Sequence, residues 1–377
     1  MKTSPSAFAV TIDNLPEIAL AYSDGVAARV LYETWQRLSS TFGSETWSVC
    51  EKSWGVALHF YGSDVDKTSF CPELIEAALA AAGRRPVPVG THRIVVGLSA
   101  RFGEVAPVEP AVEVNAQQYR LDMCAAALAY DALEAGRVHF AEQPIAAADD
   151  TAKPLYCECL ARLVSDDGTV LLPGTYLGAV ERLGLMRAFD RHVVREVVRQ
   201  LRIRPDAVLG CNVSGRSAVC DIWWSSTLEV LARNPDLAGR LVIEITETAA
   251  LPDVPEAKAF VSAIRGTGAR VALDDFGAGY SSASFAREAR VDIVKIDGSF
   301  VRQRVDGPAG QQMLNHLVNL VSGFGATIVV EGVETAEDLR VAAETGARWF
   351  QGYYFRRPEL SDPVLSQMAS IFSGRLH

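Results

Sequence analysis

The sequence predicts an α/β protein in which a TIM-type (β/α)8 barrel follows a smaller α/β or α+β domain. Downstream of residue 112, apolar strand-like segments alternate with amphipathic segments over about 250 residues, which is typical of such a barrel. The regularity is absent upstream. A chain of 377 residues is also longer than one ordinary domain requires. A doubly wound open sheet is the alternative, although no glycine-rich phosphate fingerprint follows the first strand.

The boundary between the two predicted domains lies near Pro107-Val108-Glu109-Pro110. Two prolines and alternating acidic residues there are typical of a linker. We therefore expect one domain over residues 1–112 and a second over residues 113–377.

The predicted barrel strands are short apolar runs separated by segments with helical spacing of their apolar residues. The strands are Val138–Ala146, Leu155–Leu163, Val208–Ser214, Leu241–Thr248, Arg270–Phe276, Ile293–Asp297, Thr327–Val333 and Trp349–Phe355. The clearest helices between them are Leu183–Leu201, Pro255–Gly266, Gln311–Gly323 and Ala336–Glu344.

Most of these strands carry a polar side chain inside an apolar run, although such runs normally indicate burial on both faces. Because barrel strands end at one common mouth, we expect the polar residues to converge there. Carboxylates and a carboxamide, with no His or Cys among them, favour hard cations such as Mg²⁺ or Mn²⁺ over zinc. The residues are Glu158, Asn212, Glu244, Glu247, Asp274, Asp275, Lys295, Glu331 and Gln351.

The adjacent pair Asp274 and Asp275 gives the sharpest signal. It follows the apolar run Val271–Leu273 and enters a glycine-rich turn that continues to Ser282. Adjacent carboxylates repel each other and are costly to desolvate, so a cation explains them best. A lone strand glutamate can form a structural salt bridge, and a lone Asp pair can cap a turn. The number of strands that supply polar residues favours a metal site instead.

Composition limits the classes of partner. The formal net charge of −10 argues against nucleic-acid binding, which depends on clustered Lys and Arg, but it allows a small phosphorylated ligand. We expect no signal peptide and no membrane insertion. The seven Cys are scattered without a CxxC pair, so we expect reduced thiols in a cytoplasmic protein.

From about Asp122 to the C-terminus the chain resembles the EAL-domain family of cyclic-di-GMP phosphodiesterases. The resemblance extends over roughly two-thirds of the chain, and its motifs follow one another in the family's order. They are Glu142-Gln143-Pro144-Ile145, Glu158-Cys159-Leu160-Ala161-Arg162, Asn212-Val213-Ser214, Glu244-Ile245-Thr246-Glu247-Thr248, Asp274 to Ser282, Lys295-Ile296-Asp297, Glu331-Gly332-Val333-Glu334-Thr335 and Gln351-Gly352-Tyr353.

This resemblance implies a reaction and a role for each matched residue. The reaction opens cyclic-di-GMP to linear pGpG with two Mg²⁺ or Mn²⁺ ions, and the barrel is expected to dimerise. The implied metal ligands are Glu158, Asn212, Glu244, Asp274, Glu331 and, for the second ion, Asp275. The implied catalytic residues are Lys295, which positions the attacking water, Glu331, Gln351, which supports the water network, and Glu247, which holds the loop after Asp275. The implied substrate-binding residues are Arg162 and Gln143.

Some positions depart from the family pattern. Cys159 replaces the alanine of the Glu-Ala-Leu motif, and Leu163 stands where a tryptophan is usual. Cys159 faces away from Glu158 on a strand, so it is expected to be a small buried residue. A redox sensor formed with Cys157 is the alternative. A catalytically silent cyclic-di-GMP receptor or interaction module is the alternative function, but silent members lack ligands that this chain retains.

The first hundred residues resemble, by the order of their predicted elements, a degenerate GGDEF domain. Strand-like Phe8–Leu15 precedes a helical segment around Val30–Leu38, followed by strand-like Trp54–Phe60 and Ile94–Leu98. Lys52-Ser53-Trp54-Gly55-Val56 occupies the place of the cyclase signature, and Thr11 replaces a metal-binding Asp. We therefore predict a regulatory domain without diguanylate cyclase activity. A packing domain of other ancestry is the alternative.

Overall fold

A computed structural model of the chain describes residues 8–42, 47–52, 55–60, 72–102, 113–246, 253–278, 283–302 and 308–360. The chain forms two compact units. One comprises Met1–Val138, Leu163–Arg191 and Asp221–Ser226, and the other comprises His139–Arg162, His192–Cys220 and Thr227–His377. Among the described residues, no helix has the length and apolar character needed to span a bilayer.

The N-terminal part is built around a four-stranded antiparallel sheet. Its elements are β1 (Phe8–Ile12), α1 (Leu15–Ala21), α2 (Asp24–Phe42), β2 (Trp47–Lys52), β3 (Gly55–Phe60), α3 (Pro72–Arg84), β4 (Val87–Val89), β5 (His92–Ile94), β6 (Leu98–Phe102) and α4 (Ala116–Glu134). The strand order in the sheet is β2-β3-β1-β6, and β4 pairs with β5 in a separate hairpin. Buried Val10 and Ile12 from β1 and buried Ile18, Val30 and Leu38 from α1 and α2 contribute to its core.

Two sequence-based expectations for this part need correction. The single strand expected at Ile94–Leu98 is interrupted: β5 ends at Ile94 and β6 begins at Leu98. The side chain of Asn14 explains the break, because its Nδ2 donates to the carbonyl of Val95 while its Oδ1 accepts from the backbone N–H of Gly97. Strand β2 was not predicted. The linker at 107–110 and the Ser53-Trp54 part of the expected signature position lie outside the described residues.

The C-terminal part contains the predicted barrel. Its elements are β7 (Val138–Ala147), β8 (Tyr156–Val164), β9 (Val170–Leu171), α5 (Pro173–Arg182), α6 (Met186–Ile203), β10 (Leu209–Ser214), α7 (Ile222–Arg233), α8 (Pro235–Ala238), β11 (Leu241–Thr246), α9 (Val254–Gly266), β12 (Arg270–Phe276), α10 (Ala283–Ala289), β13 (Ile293–Ile296), α11 (Ser299–Arg302), α12 (Pro308–Ser322), β14 (Thr327–Val330), α13 (Ala336–Glu344), β15 (Trp349–Phe350) and β16 (Glu359–Leu360). Strands β7, β8 and β10 to β15 close into an eight-stranded barrel, which confirms the predicted TIM-type fold.

The first barrel strand runs against the others. Strands β8 and β10 to β15 pair in parallel along the sheet, whereas β15 pairs with β7 in antiparallel register, Phe350 opposite Ala146. The segment between β7 and β8, residues 148–155, is shorter than the dozen or so residues that a parallel crossover needs. It therefore returns the chain as a hairpin connection. The sequence analysis did not predict this reversal.

Several elements are shorter than expected because glycine-containing turns end them. Strand β14 ends at Val330 rather than Val333, and Gly332 has a left-handed φ of 70°. Helix α6 begins at Met186 rather than Leu183, because Gly184, with φ 70°, separates it from α5. Strand β15 ends at Phe350, since the chain from Gln351 turns back toward Val333, whose carbonyl accepts from the backbone N–H of Tyr354 at 3.0 Å.

Candidate active site and metal centre

The site lies directly above an apolar layer inside the barrel. Six strands each contribute one buried residue to this layer: Ile145, Tyr156, Val242, Ala272, Ile293 and Val329. Strand side chains alternate with a period of two, so the next inward-facing residues are Glu158, Glu244, Asp274, Lys295 and Glu331. On β7 the corresponding residue is Gln143, two positions before Ile145, because this strand runs in the opposite direction. The strand periodicity thus places these predicted site residues in one layer.

Lys295 occupies the centre of the layer. Its Nζ lies 2.8 Å from oxygens of Glu244, Asp274 and Glu331 and 3.3 Å from Oε2 of Glu158. The side chain of Lys295 is only 1% exposed, and that of Glu244 is fully buried. One buried cation thus faces four carboxylates, which leaves an excess of negative charge.

Amide side chains hold Glu158 on the other side. Asn212 Nδ2 donates to Oε1 of Glu158, and Gln351 Nε2 donates to its Oε2, both at 2.5 Å. Gln351 Nε2 also lies 3.2 Å from Oε1 of Gln143, whose own Nε2 donates to the carbonyl of Arg356. Charge-assisted hydrogen bonds of this kind fix the orientation of a carboxylate. Gln143 therefore contacts Gln351 and the backbone after β15.

A bulge turns both members of the Asp pair toward the site. Along β12, Leu273 pairs with Val294 and Phe276 pairs with Ile296, so β12 has one residue more than β13 over this interval. The extra residue gives Asp275 a left-handed φ of 54°, which is uncommon outside glycine and resembles a bulge conformation. Carboxylate oxygens of Asp274, Asp275 and Glu331 consequently lie within 4.8 Å of one another.

Glycines at two places in the site leave room for neighbouring side chains and strand ends to lie close together. A Cβ at Gly210 of β10 would collide with Oε1 of Glu244 and would lie 2.5 Å from the Tyr156 ring. After β13 and β14, a Cβ on Gly298 would lie 2.8 Å from the Cα of Gly332. A side chain at any of these positions would displace a site residue or the strand end that carries it.

The donor set fits divalent cations. Two groups of carboxylates share Asp274: Glu158 with Glu244 and Asp274, and Asp274 with Asp275 and Glu331. Two further acceptors, Glu244 Oε1 and Asn212 Oδ1, are buried without a hydrogen-bond partner in the described part of the chain. Buried acceptors normally have partners, and oxygen ligands are those that Mg²⁺ and Mn²⁺ prefer. The arrangement supports metal binding without identifying the ion or the number of ions.

The pKa values of the site residues are shifted because several carboxylates are buried around a single cation. Burial raises the pKa of Glu244 to about 8, and burial together with the charge of Asp274 raises that of Asp275 to about 6. Burial also acts on Glu158, but Lys295 and the amide hydrogen bonds outweigh it and leave the pKa of Glu158 below its ordinary value. Burial lowers the pKa of Lys295, yet the surrounding carboxylates, led by Asp274, raise it well above its ordinary value. Lys295 therefore stays protonated at neutral pH.

The remaining predicted residues have different environments. Arg162 is half-buried on β8, and its Nη1 donates to the carbonyl of Ala161 at 3.0 Å. Glu247 and residues 279–282 of the loop after Asp275 lie outside the described residues. Cys157 is half-buried and Cys159 is buried, and burial raises the pKa of both thiols, as in unreactive structural cysteines.

Two contributors were missed in the sequence. Tyr156 donates from its hydroxyl to Oε2 of Glu244 at 3.1 Å, and Gly210 provides the space for that carboxylate. Both residues have a sequence feature that could have identified them. Tyr156 precedes Glu158 by two residues and therefore shares its face, and a glycine inside a strand indicates a close approach.

Comparisons with known proteins agree with this geometry. A family model described as "EAL domain" matches residues 127–358. The signaling protein YkoW of Bacillus subtilis is 29% identical over 208 residues, covering 53% of this chain and 26% of YkoW. The cyclic di-GMP phosphodiesterase PdeB of Shewanella oneidensis is 29% identical over 236 residues, covering 60% of this chain and 27% of PdeB. The chain thus spans about a quarter of the length of these two curated relatives.

Solved structures give the same result. The PaMucR phosphodiesterase in complex with c-di-GMP is 25% identical, with a TM-score of 0.54, and the match covers 60% of this chain and 94% of that one. The GGDEF-EAL structure of Vibrio cholerae LapD is similar over 93% of this chain and 89% of its own, with a TM-score of 0.56. At 16% identity, the latter similarity shows the fold alone. The matched family model covers more than half of the chain, and the chain belongs to the EAL-domain family.

Proposed function

We propose that this chain hydrolyses cyclic-di-GMP to linear pGpG with two divalent cations, Mg²⁺ or Mn²⁺. The observation that carries the proposal is the pair of carboxylate groups that share Asp274, because two neighbouring oxygen-rich positions are what a two-metal phosphodiesterase requires. PdeB, which is named as a cyclic di-GMP phosphodiesterase, and PaMucR, whose structure contains c-di-GMP, support the choice of substrate.

The carboxylates and the carboxamide would hold the ions. Cations in such a site acidify water and stabilise the charge that develops on phosphate oxygens. Asp274 would contribute to both positions, since it belongs to both carboxylate groups. The proposed ligands are Glu158, Asn212, Glu244, Asp274, Asp275 and Glu331.

Lys295 would orient the attacking water and would not act as a base. Its pKa is raised well above the ordinary value by the surrounding carboxylates, so its ammonium group donates hydrogen bonds throughout the neutral range. Glu331, 2.8 Å from the Lys295 Nζ, and Gln351, which donates to Glu158, would fix the same water from other sides. Each of these groups acts by position and charge.

Arg162 and Gln143 are proposed to bind the substrate. Arg162 would contact a phosphate, for which a guanidinium is well suited. Gln143 would act through Gln351 and through the backbone of Arg356, both of which it contacts. Glu247 would hold the loop after Asp275, as the family resemblance implies, and this role remains a prediction.

The N-terminal domain, residues 1–112, is proposed to be regulatory and to lack cyclase activity, while residues 113–377 form the phosphodiesterase. Thr11, which stands in place of a metal-binding Asp, is buried and donates its hydroxyl to Asp13 at 2.8 Å. A threonine hydroxyl is a poor substitute for a carboxylate as a Mg²⁺ ligand. The similarity to the GGDEF-EAL structure of LapD supports only the GGDEF-like fold of this domain. A cytoplasmic location and dimerisation through the barrel are proposed from the family resemblance.

The decisive experiment incubates the purified chain and its Glu158→Ala variant with cyclic-di-GMP and either Mg²⁺ or Mn²⁺, and separates the nucleotides by chromatography. We expect linear pGpG from the unaltered chain only. Binding of cyclic-di-GMP without turnover under both metals would contradict the proposal and favour a silent receptor.

A further inference from the structure

A second concave site lies at the opposite end of β12 from the Asp pair. Arg270 begins this strand, four positions before Asp274, a distance of about 13 Å along a strand. A cavity of about 580 Å³ opens there, with Arg270 and Arg290 among its lining residues. Its volume is in the range of small-molecule sites.

The cavity is positively charged although the whole chain carries −10. Four cationic side chains and two carboxylates line it, so positive charge is in excess. Lys258 pairs with Glu288, and Arg265 Nε lies 3.0 Å from Oδ1 of Asp292. The Asp292 carboxylate also accepts from the backbone N–H of Val271. Both carboxylates are therefore already engaged.

Arg270 and Arg290 supply the excess charge. Within the described residues, neither guanidinium has an ion pair or a hydrogen bond with another side chain. Arg270 is half-buried, and burial lowers its pKa more than the nearby charge of Asp292 raises it, so its charge is held in a partly desolvated position. A half-buried guanidinium normally has an acceptor.

The backbone conformation of Arg290 also supports a ligand site at this cavity. Arg290 follows α10 with a left-handed φ of 55°, at a position where helices usually end with glycine. A non-glycine residue in this conformation is strained, because its Cβ lies too close to the following carbonyl oxygen. Arg290 is also one of the two arginines of the cavity that form no ion pair within the described part of the chain.

We propose that this cavity binds a small phosphorylated anion. The ligand's phosphate would bind between the guanidinium groups of Arg270 and Arg290, which match phosphate oxygens in geometry as well as charge. Gly266 leaves room beside them, because a Cβ built on it would meet no atom within 4 Å. The site is separate from the carboxylate cluster and does not depend on the proposed hydrolysis.

The test is calorimetric titration of the full chain with inorganic phosphate in the presence of EDTA, so that metal-bound phosphate does not contribute. We expect saturable binding that Arg290→Gly weakens at least about tenfold. Glycine suits the left-handed position, so this variant should fold normally. Gly266→Leu, which fills the space without removing charge, should weaken binding as well.

Two matched variants test the location. Arg340→Ala removes an exposed arginine of α13 that pairs with Glu337 and Glu344, and it should leave the affinity unchanged. Arg233→Ala, which removes an exposed arginine of α7 that pairs with Glu229, should also leave it unchanged. Absence of saturable binding, equal affinity in the Arg290→Gly variant, or loss of binding in the Arg233→Ala or Arg340→Ala variant would each overturn the proposal.

Discussion

The Nζ atom of Lys295 lies 2.8 Å from Oε2 of Glu244, and both side chains are almost completely shielded from solvent. The pair is one of four such approaches around a single ammonium group. The protein therefore concentrates charge inside the barrel, directly above a layer of apolar side chains. If Lys295 were removed, the four carboxylates around it would repel one another without a compensating positive charge.

Replacement of Lys295 by Met should abolish turnover and should lower the free energy of unfolding in EDTA by about 3–5 kcal/mol, as expected when one member of a buried ion pair is lost. Chemical denaturation with and without Mg²⁺ measures this, and the added metal should restore part of the loss. Lys258→Met is the matched control, because the Lys258–Glu288 pair is partly exposed and should contribute less than about 1 kcal/mol. Equal losses in the two variants would contradict the expected role of Lys295.

Glu158→Ala should reduce turnover at least about a hundredfold, because it removes an oxygen donor from one carboxylate group and leaves the amides of Asn212 and Gln351 without their acceptor. Steady-state assays of pGpG formation measure the effect. The neighbouring residue gives the control: Cys159 is buried on the other face of the strand, so Cys159→Ala should keep near-normal turnover. Similar activity losses in both variants would mean that strand integrity, and not the carboxylate, matters.

Gly210→Ala should weaken metal binding and lower the free energy of unfolding by about 1–3 kcal/mol, since the added methyl group overlaps the Glu244 carboxylate and the Tyr156 ring. Metal titration followed by calorimetry, together with thermal unfolding, tests this. Gly174→Ala in α5 is the matched control, because its Cβ would meet no atom within 4 Å. A Gly210→Ala variant with unaltered metal affinity would show that Glu244 does not depend on this space.

The ion pair between Asp122 and Arg182 should make stability depend on pH at the acidic end. Hydrogen bonds from Arg182 hold the pKa of Asp122 below its ordinary value. A lowered carboxyl pKa stabilises the fold above the unfolded value of about 4 and loses this effect as the pH falls toward the folded value. Asp122→Asn should therefore be less stable than the unaltered chain at pH 7, and the difference should shrink below about pH 4.

Denaturant unfolding at several pH values measures this difference. Arg182→Gln should reproduce the loss, since it removes the other partner of the pair. A difference between Asp122→Asn and the unaltered chain that stays constant down to pH 2 would show that the carboxylate charge is not responsible.

The sequence predicted the barrel and the composition of its polar layer because both follow from strand periodicity. Most site residues lie two positions from a residue of the apolar layer beneath them, as Glu244 does from Val242 and Lys295 from Ile293. A single polar residue in such a run is visible without any tertiary information. The direction in which a strand enters the sheet depends instead on the length of its connections, here the short segment 148–155, and strand periodicity carries no information about it.

Other features depended on contacts between distant segments. Gln143 reaches the polar layer because β7 is reversed, and it contacts Gln351 across 208 positions of sequence. The central role of Lys295 as the partner of four carboxylates also appears only when β8, β11, β12 and β14 are assembled. Local patterns identify residue types at strand ends, but they do not give the partners of those residues.

The extra residue in β12 determines how the deletion of a single codon would affect the site. Pairing with β13 is regular up to Leu273 and again at Phe276, so loss of one codon between these positions would restore an uninterrupted ladder. The barrel would then retain its strands and its apolar layer, while alternation would permit only one of two adjacent side chains to face inward. A single in-frame deletion would thus remove one carboxylate from the cluster and leave the scaffold in place. In this chain, the length of β12, and not only its composition, decides how many carboxylates the site contains.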